Sequence, residues 1–310
     1  MKDYLSEIDE RYPVRNSTEQ KENFRSYALS EAEAAGLSAR AEENEGHVNL
    51  VFAEPAGAKL IFTAHYDTPR RAILPNLMLV TNRLLSLCYT AAVVLLILLP
   101  SLGAAFAVRA LLGLEWEELP ARMLMLLVYT VVYFGLFFLF LRGPANRRNR
   151  NDNTSGTAAV LTLAKRLSGR AGAAFLLFDD EEKGKKGSQA FARAHPEIKE
   201  NTLIVNMDCV GNGDVFVFCC TEDAGRDPLY AELKTAMEGS GLNVRFFPSR
   251  KARMNSDHRS FGRGVGVCAC RYKPLVGYFA DRIHTARDTV ASPENVQRLA
   301  EALAAFAEQL

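Results

Sequence analysis

The 310-residue sequence is long enough for one large domain or two small ones. Its 37 basic and 36 acidic side chains leave a formal net charge of +1, so no bulk field points to nucleic acid or to an acidic partner. The six cysteines show no CxxC spacing, and the opening "MKDYLSEIDERYPV" is charged throughout, unlike a secretory leader; reduced thiols in a cytoplasmic setting are expected, not a disulfide framework. In chain order, "STEQKENFRSYALSEAEAAG" opens with a Ser/Thr cap and an acidic first turn, has apolar residues at helical spacing and closes on Gly36, which predicts an amphipathic helix. Two short strands follow, around "HVNLVFAE" and "AKLIFTAHYDT", joined by the turn signal "EPAGA".

The next region breaks the pattern. Residues 84–100, "LLSLCYTAAVVLLILLP", and 123–141, "MLMLLVYTVVYFGLFFLFL", contain no charge, and the first extends through "SLGAAFAV" to Val108. Each is near the length that spans a bilayer, and helices buried in soluble cores rarely stay apolar all round for so long. The expectation is a transmembrane hairpin using residues 84–108 and 123–141; the alternative is a pair of hydrophobic helices forming a lid or a dimer interface. Arg70, Arg71 and Arg83 precede the pair, and Arg142, Arg147, Arg148 and Arg150 follow it. The connecting loop holds "LGLEWEELPAR", with three glutamates and only Arg109 and Arg122 nearby. The positive-inside rule then puts both outer flanks in the cytoplasm and Trp116 at the far interface.

Beyond the pair, "TSGTAAVLTLAKRLSG" predicts a helix, "GAAFLLFDD" a buried strand and "KGSQAFARAHPEI" another helix. "NTLIVNMDCVG" and "DVFVFCC" predict apolar strands, "DPLYAELKTAMEGSG" a helix, and a last helix starts at Pro293 under a Ser292 cap and runs to Leu310. Helices alternating with continuously apolar strands indicate an α/β sheet buried on both faces.

Within that sheet "AAFLLFDDEEKGKKGS" sets four carboxylates, Asp179, Asp180, Glu181 and Glu182, at the mouth of a buried strand. Such a run is either a solvated turn or the wall of a cation site. A metal site needs partners from other strand ends, where open α/β sheets build their sites. Four stretches supply them: His65 and Asp67 in "IFTAHYDTP", Asp152 in "RNDNTSG", Asp208 in "IVNMDCVGNGD" and His284 in "YFADRIHTARDT".

The motifs "AHYDT", "NDNTSG", "DDEEKGKKGS", "NMDCVG", "NSDHRSF" and "IHTARDT" occur in this order and together resemble the co-catalytic di-zinc aminopeptidases. Relatives of that family include bacterial leucyl aminopeptidase, aminopeptidase S, glutamate carboxypeptidase and glutaminyl cyclase. The resemblance covers residues 17–75 and 143–310. It implies a mixed, mostly parallel central sheet with helices on both faces, interrupted by the hydrophobic helical hairpin. The expected division is a first part of the peptidase domain at 1–78, the inserted hairpin at 79–142 and the second part at 143–310.

Carried over residue by residue, the resemblance implies two Zn2+ ions bridged by Asp152. His65 and Asp208 complete one site, Glu182 and His284 the other. Glu181 acts as general base, and Asp67 hydrogen-bonds the far ring nitrogen of His65. A cis peptide bond between Asp152 and Asn153 is implied as well. Asp179 and Asp180 are expected to cap the strand end or support the ligands, and His258 to give structural support. His47 and His195 read as surface residues. The sequence departs from the family at "KGKK", where a more apolar stretch is usual, and at "SRKARMNSDH", which lacks the tyrosine that helps stabilise the oxyanion in several members; Arg253, or Tyr278 from elsewhere, is the candidate substitute.

The implied function is a membrane-anchored, zinc-dependent aminopeptidase that hydrolyses N-terminal residues of cytoplasmic peptides. The alternatives are a catalytically inactive relative serving as receptor or scaffold, and a glutaminyl-cyclase-like acyltransferase using one zinc. In soluble relatives the stretch between the histidine motif and the bridging aspartate is short. Here it holds the hairpin, which should therefore emerge beside the metal site.

Overall fold

The computed structural model describes residues 2–170 and 172–310. The elements are α1 (Tyr4–Arg11), α2 (Thr18–Ala34), β1 (Ala39–Asn44), β2 (His47–Phe52), β3 (Leu60–His65), β4 (Met78–Leu79), α3 (Arg83–Leu112) and α4 (Leu119–Leu141). They continue with α5 (Thr154–Arg166), β5 (Ala173–Phe178), α6 (Lys186–Ala194), α7 (Pro196–Asn201), β6 (Leu203–Met207) and β7 (Val215–Cys220). The last are α8 (Pro228–Gly239), β8 (Val244–Pro248), β9 (Gly264–Lys273), β10 (Gly277–Ala280) and α9 (Pro293–Ala307).

Strands β5, β3, β6 and β9 run parallel in that spatial order and form the centre of one mixed sheet. Antiparallel β2 and β1 extend it on one side, and β7, antiparallel to β9, carries β8 on the other. The last three residues of β9, Arg271 to Lys273, pair with β10, and β10 pairs with the two-residue β4. Alternate strand residues point to opposite faces: Leu60 and Phe62 join α1, α2, α5 and α9 in one core, while Ile61, Leu176 and Phe178 pack with Phe191 of α6 in the other. Both faces are covered, as the continuous apolar strands require.

The amphipathic helix α2 has the cap expected of it. The Ser17 side chain accepts from the Gln20 amide, and Gln20 reaches back to the main chain of Ser17. The single helix expected over "KGSQAFARAHPEI" is two, because Pro196 disfavours helical backbone at His195 and then opens α7 at its first turn. Strand β1 is polar at the sheet edge, with half of its residues exposed and none buried, so it lacks the apolar signature of a strand.

Half of the acidic run is neutralised within the fold. Lys21 of α2 lies buried with its Nζ 2.5 Å from Asp179 Oδ1, and it also pairs with Asp180 Oδ1. His47 is half-buried rather than a free surface residue, with its Nδ1 2.9 Å from Asp180 Oδ2. His195 is half-buried too, tilted over Phe191 and 2.5 Å from Glu42 Oε1. Lys21→Met would leave Asp180 to Lys183 and His47 but buried Asp179 with only Arg25 at 3.9 Å, so a loss of about 3 kcal/mol in unfolding free energy, the low end for breaking a buried pair, is expected from denaturant titration. A change under about 1 kcal/mol, the worth of a surface pair, would contradict that account.

Helices α3 and α4 pack against each other and stand outside the sheet-and-helix body. Helix α3 continues through Pro100, and the Ser101 hydroxyl donates to the Ile97 carbonyl at 2.6 Å. The pair is longer than the uncharged segments alone suggest. Only Ile97, Ser101 and Ala105 of α3 and Ala121 and Met125 of α4 are buried. Leu84, Leu111, Met123 and Leu126 are each more than 60 % exposed. Both helices are long and apolar enough to cross a bilayer.

At the foot of the hairpin the two legs run side by side. Arg71 N–H donates to Pro144 O at 2.8 Å and Gly143 N–H to Arg71 O at 2.9 Å. A side chain at position 143 would place its Cβ 2.6 Å from Arg71 O, so glycine is required by this close approach.

Candidate metal centre

The centre is assembled from the carboxyl ends of the parallel strands. β3 ends on His65, β5 leads through Asp179 and Asp180 into Glu181 and Glu182, and Asp208 follows β6. Asp152 precedes α5, and His284 lies in the loop after β10 with φ 59. Asp180 also takes left-handed backbone, φ 51, which turns the chain sharply from the strand into the short helical turn of the paired glutamates.

The stretch before α5 is held almost atom by atom. Asn153 Oδ1 accepts from the amides of Gly156 and Cys209, and its Nδ2 donates to Met207 O at 3.0 Å. A Cβ at Gly156 would lie 2.2 Å from Met207 O, so glycine lets α5 close onto the end of β6 and brings Asp152 to Asp208. The Asp152–Asn153 peptide bond is cis. Thr157 donates its hydroxyl to His65 O at 2.9 Å, fastening the same helix to β3.

Two triads of donors result: His65 with Asp152 and Asp208, and His284 with Asp152 and Glu182. His65 Nε2 is 3.5 Å from Asp152 Oδ1 and 3.8 Å from Asp208 Oδ1. His284 Nε2 is 3.1 Å from Asp152 Oδ2 and 3.4 Å from Glu182 Oε2. The two oxygens of Asp152 thus face different histidines. Glu181 also lies close to His65 and Glu182.

Asp67 has a larger part than the sequence suggests. Its carboxylate lies 3.3 Å from His65 Nδ1 and accepts from the main-chain N–H of Glu181 at 3.1 Å and of Glu182 at 3.2 Å. His65 Nδ1 is also 3.2 Å from Asp67 O. One side chain therefore orients an imidazole and the turn of the paired glutamates together.

The electrostatics are those of crowded anions. Burial alone would lower the His65 imidazole, but Asp152, Asp208 and Asp67 outweigh it and hold its pKa well above the ordinary value. His284 is raised to about 9 against its burial by Glu182 and Asp152. Loss of water pushes Glu181 well up and Glu182 to about 8. Asp152 is held down against its burial by His284 and His65. Glu182 Oε1 is buried and has no hydrogen-bond partner. Such an orphaned acceptor among carboxylates and imidazoles suits a divalent cation.

Some supporting residues carried no role in the sequence reading. Asp288, within the "IHTARDT" motif, accepts from the amides of Asn151 at 3.0 Å and Asp152 at 2.9 Å. Asp257 of the "SDH" motif is fully buried with both oxygens unpartnered, and burial, opposed by His65, takes it to about 7. Arg15, also fully buried, donates to Tyr66 O and to Thr154 Oγ1, joining the end of β3 to the start of α5. The short pattern around Arg15 offers no signal for this. His258 packs against Gly266 of β9, where a Cβ would come within 2.6 Å of its ring nitrogen.

A cavity of about 670 Å³ opens over these groups. Its floor includes His65, Asp152, Glu181, Glu182, Asp208 and His284. One wall is the first three turns of α3, which present Ser86, Tyr89, Thr90, Val93 and Val94 at helical spacing. The backbone contact is direct: the Ala72 N–H in the approach to the hairpin donates to His284 O at 2.7 Å. Arg253 lines the cavity; Tyr278 instead packs against Phe247 and Tyr272.

Residues 147–307, more than half of the chain, match the model of peptidase family M28. The chain belongs to that family. This M28 member is by class a metallo-exopeptidase. The matched segment contains Asp152, Glu181, Glu182, Asp208 and His284, while His65 and Asp67 lie before it. No curated protein sequence matches the chain. Among solved structures, the LapA aminopeptidase of Legionella pneumophila aligns with a TM-score of 0.59 at 15% identity, covering 99% of this chain and 68% of that one. The glutaminyl cyclase of Porphyromonas gingivalis aligns at 0.60 and 14% identity, covering 99% and 97%. A Zn-dependent exopeptidase of Parabacteroides distasonis aligns at 0.59 and 13% identity, covering 97% and 94%. The mixed, mostly parallel sheet of this M28 chain is the fold these structures share, with the hairpin α3–α4 inserted into it.

Proposed function

We propose that the protein is a zinc-dependent aminopeptidase held in a membrane by the hairpin at 79–142, which separates the two parts of one peptidase domain, 1–78 and 143–310. The observation that carries this reading is Asp152, whose two oxygens are shared between the triads of His65 and His284. Three carboxylates and two imidazoles are a donor set that suits zinc. His65 and Asp208 would hold one ion, Glu182 and His284 the other, and Asp152 both. Bound there, the ions would supply Lewis-acid polarisation of the scissile carbonyl and a lowered pKa for the attacking water.

The chain's own groups do the rest. Glu181 takes the proton of that water and passes it to the leaving amine. Asp67 fixes the tautomer of His65 and the position of both glutamates. Arg253 is the cavity-wall group available to the carbonyl oxygen, in place of the tyrosine that several relatives use. Hydrolysis of aminoacyl reporter substrates, abolished by chelation and restored by zinc, is the expected result. Cyclisation of glutamine-led peptides without hydrolysis would favour the one-zinc acyltransferase instead. Neither activity, in folded and metal-loaded protein, would leave the scaffold reading.

The hairpin supports a membrane site by its length and by the apolar surface it turns outward. The cations at its foot favour the cytoplasmic side for the peptidase domain, while Glu115, Glu117 and Glu118 lie in the opposite loop. Arg150 is set apart from those cations by its pairing with Asp9. On this reading substrates are cytoplasmic peptides, or peptide tails held near the bilayer. The full-length protein should pellet with membranes and require detergent for release, and a reporter in the 109–122 loop should read as extracytoplasmic. Recovery in the high-speed supernatant without detergent would refute the anchor and favour the lid or interface.

A further inference from the structure

A second cavity, about 410 Å³, lies at the start of α3 and is lined by Arg83, Arg250, Lys251, Arg253 and Arg259. No carboxylate lines it, and among the described residues none of these five cations forms an ion pair. Five like charges around one cavity repel one another unless an anion joins them. The scaffold holds them there: Arg253 N–H donates to Val80 O at 2.7 Å, Ser249 N–H to Cys220 O at 2.8 Å, and Lys251 N–H to Pro248 O at 2.8 Å. The loop is thus tied both to the end of β8 and to the segment that feeds α3. Its size falls within the roughly 300–1,000 Å³ of small-molecule sites, and arginine matches phosphate oxygens with two parallel N–H bonds.

Position selects the anion. Arg83 is the first residue of α3, and Leu84 and Leu87 immediately beyond it are 73% and 66% exposed. A ligand here meets cations at one end and an outward apolar helix at the other. We infer that this cavity binds the headgroup of an anionic phospholipid, whose acyl chains lie along α3; the inference rests on the membrane-spanning reading of the hairpin. Arg253 and Asn255 line both this cavity and the catalytic one, and Lys185 of the catalytic cavity donates to Asn255 Oδ1 at 2.9 Å. The bound headgroup and the substrate therefore share a wall.

The test uses full-length protein extracted from membranes and offered phosphatidylglycerol and phosphatidylcholine in equal amounts, with retained lipid counted by native mass spectrometry. Wild type should retain phosphatidylglycerol preferentially. The double variant Arg250→Gln/Lys251→Gln, at two exposed positions, should lose about an order of magnitude of that preference, while Lys165→Gln/Arg166→Gln, an equal charge loss on the last turn of α5, should not. Equal retention of the two lipids by wild type, or an unchanged preference in the 250/251 variant, overturns the inference. Displacement of phosphatidylglycerol by millimolar inorganic phosphate overturns it too, since the site would then serve the free ion. If the protein needs no detergent, the anchor reading fails and this inference with it; if it is membrane-bound yet indifferent to headgroup charge, this inference alone fails.

Discussion

Glu181→Gln should purify with its metal and lose kcat by a factor on the order of 10²–10⁴, the usual worth of a positioned general base. The substitution keeps the side chain's length and shape. It also leaves the main-chain N–H of residue 181 bonded to Asp67, so the turn that presents Glu182 stays in place. Glu182→Gln is the contrast, since it should weaken metal binding as well as activity. Steady-state kinetics with elemental analysis on the same samples separate the two. Near-full activity in Glu181→Gln would show that another group takes the proton.

Asp152→Ala should have the larger effect on metal content. Wild type is expected to hold two zinc ions per chain after saturation and desalting, and Asp208→Asn to retain the ion of the other triad. Removing the shared carboxylate strips a ligand from both triads at once. The loss of activity should exceed the 10–100-fold typical of changes to the groups that merely orient ligands, such as Asp67→Asn. A thermal unfolding transition measured beside the metal count shows whether the variant remains folded. If Asp152→Ala still binds two ions, the carboxylate does not bridge.

The sequence announces its candidate donors because each lies at a strand end beside a recognisable local pattern, such as "AHYDT" or "NMDCVG". Lateral placement carries no such mark. Lys21 stands 158 positions before Asp179, and nothing in α2 distinguishes it from a solvated lysine, yet it balances half of the acidic run. The same holds for Arg15, whose bond to Thr154 spans 139 positions. Among the strands, β3, β5 and β6 are legible from their apolar runs. The exposed β1 and the two-residue β4 are not, because their pairing partners rather than their composition make them strands. The uncharged segments mark the hairpin, but its use as a wall of the cavity over the metal centre is seen only in the structure, where its legs pair side by side at Arg71 and Gly143 and α3 lines the cavity from Ser86 to Val94.

The length of α3 has a consequence for how the enzyme would meet its substrate. Its 30 residues exceed by about ten the roughly 20 that cross a hydrocarbon core, a surplus of about 15 Å. The cavity-lining turns, Ser86 to Val94, lie at the end of α3 nearest the peptidase domain. If the hairpin spans the bilayer, the bilayer's thickness would act as a gauge: a thin leaflet leaves the Arg83 end of this stretch at the headgroup layer, and a thicker one draws it deeper among the acyl chains. Hydrophobic mismatch would set how far the catalytic cleft stands above the lipid, and so how long a tether a membrane-borne peptide needs to reach it.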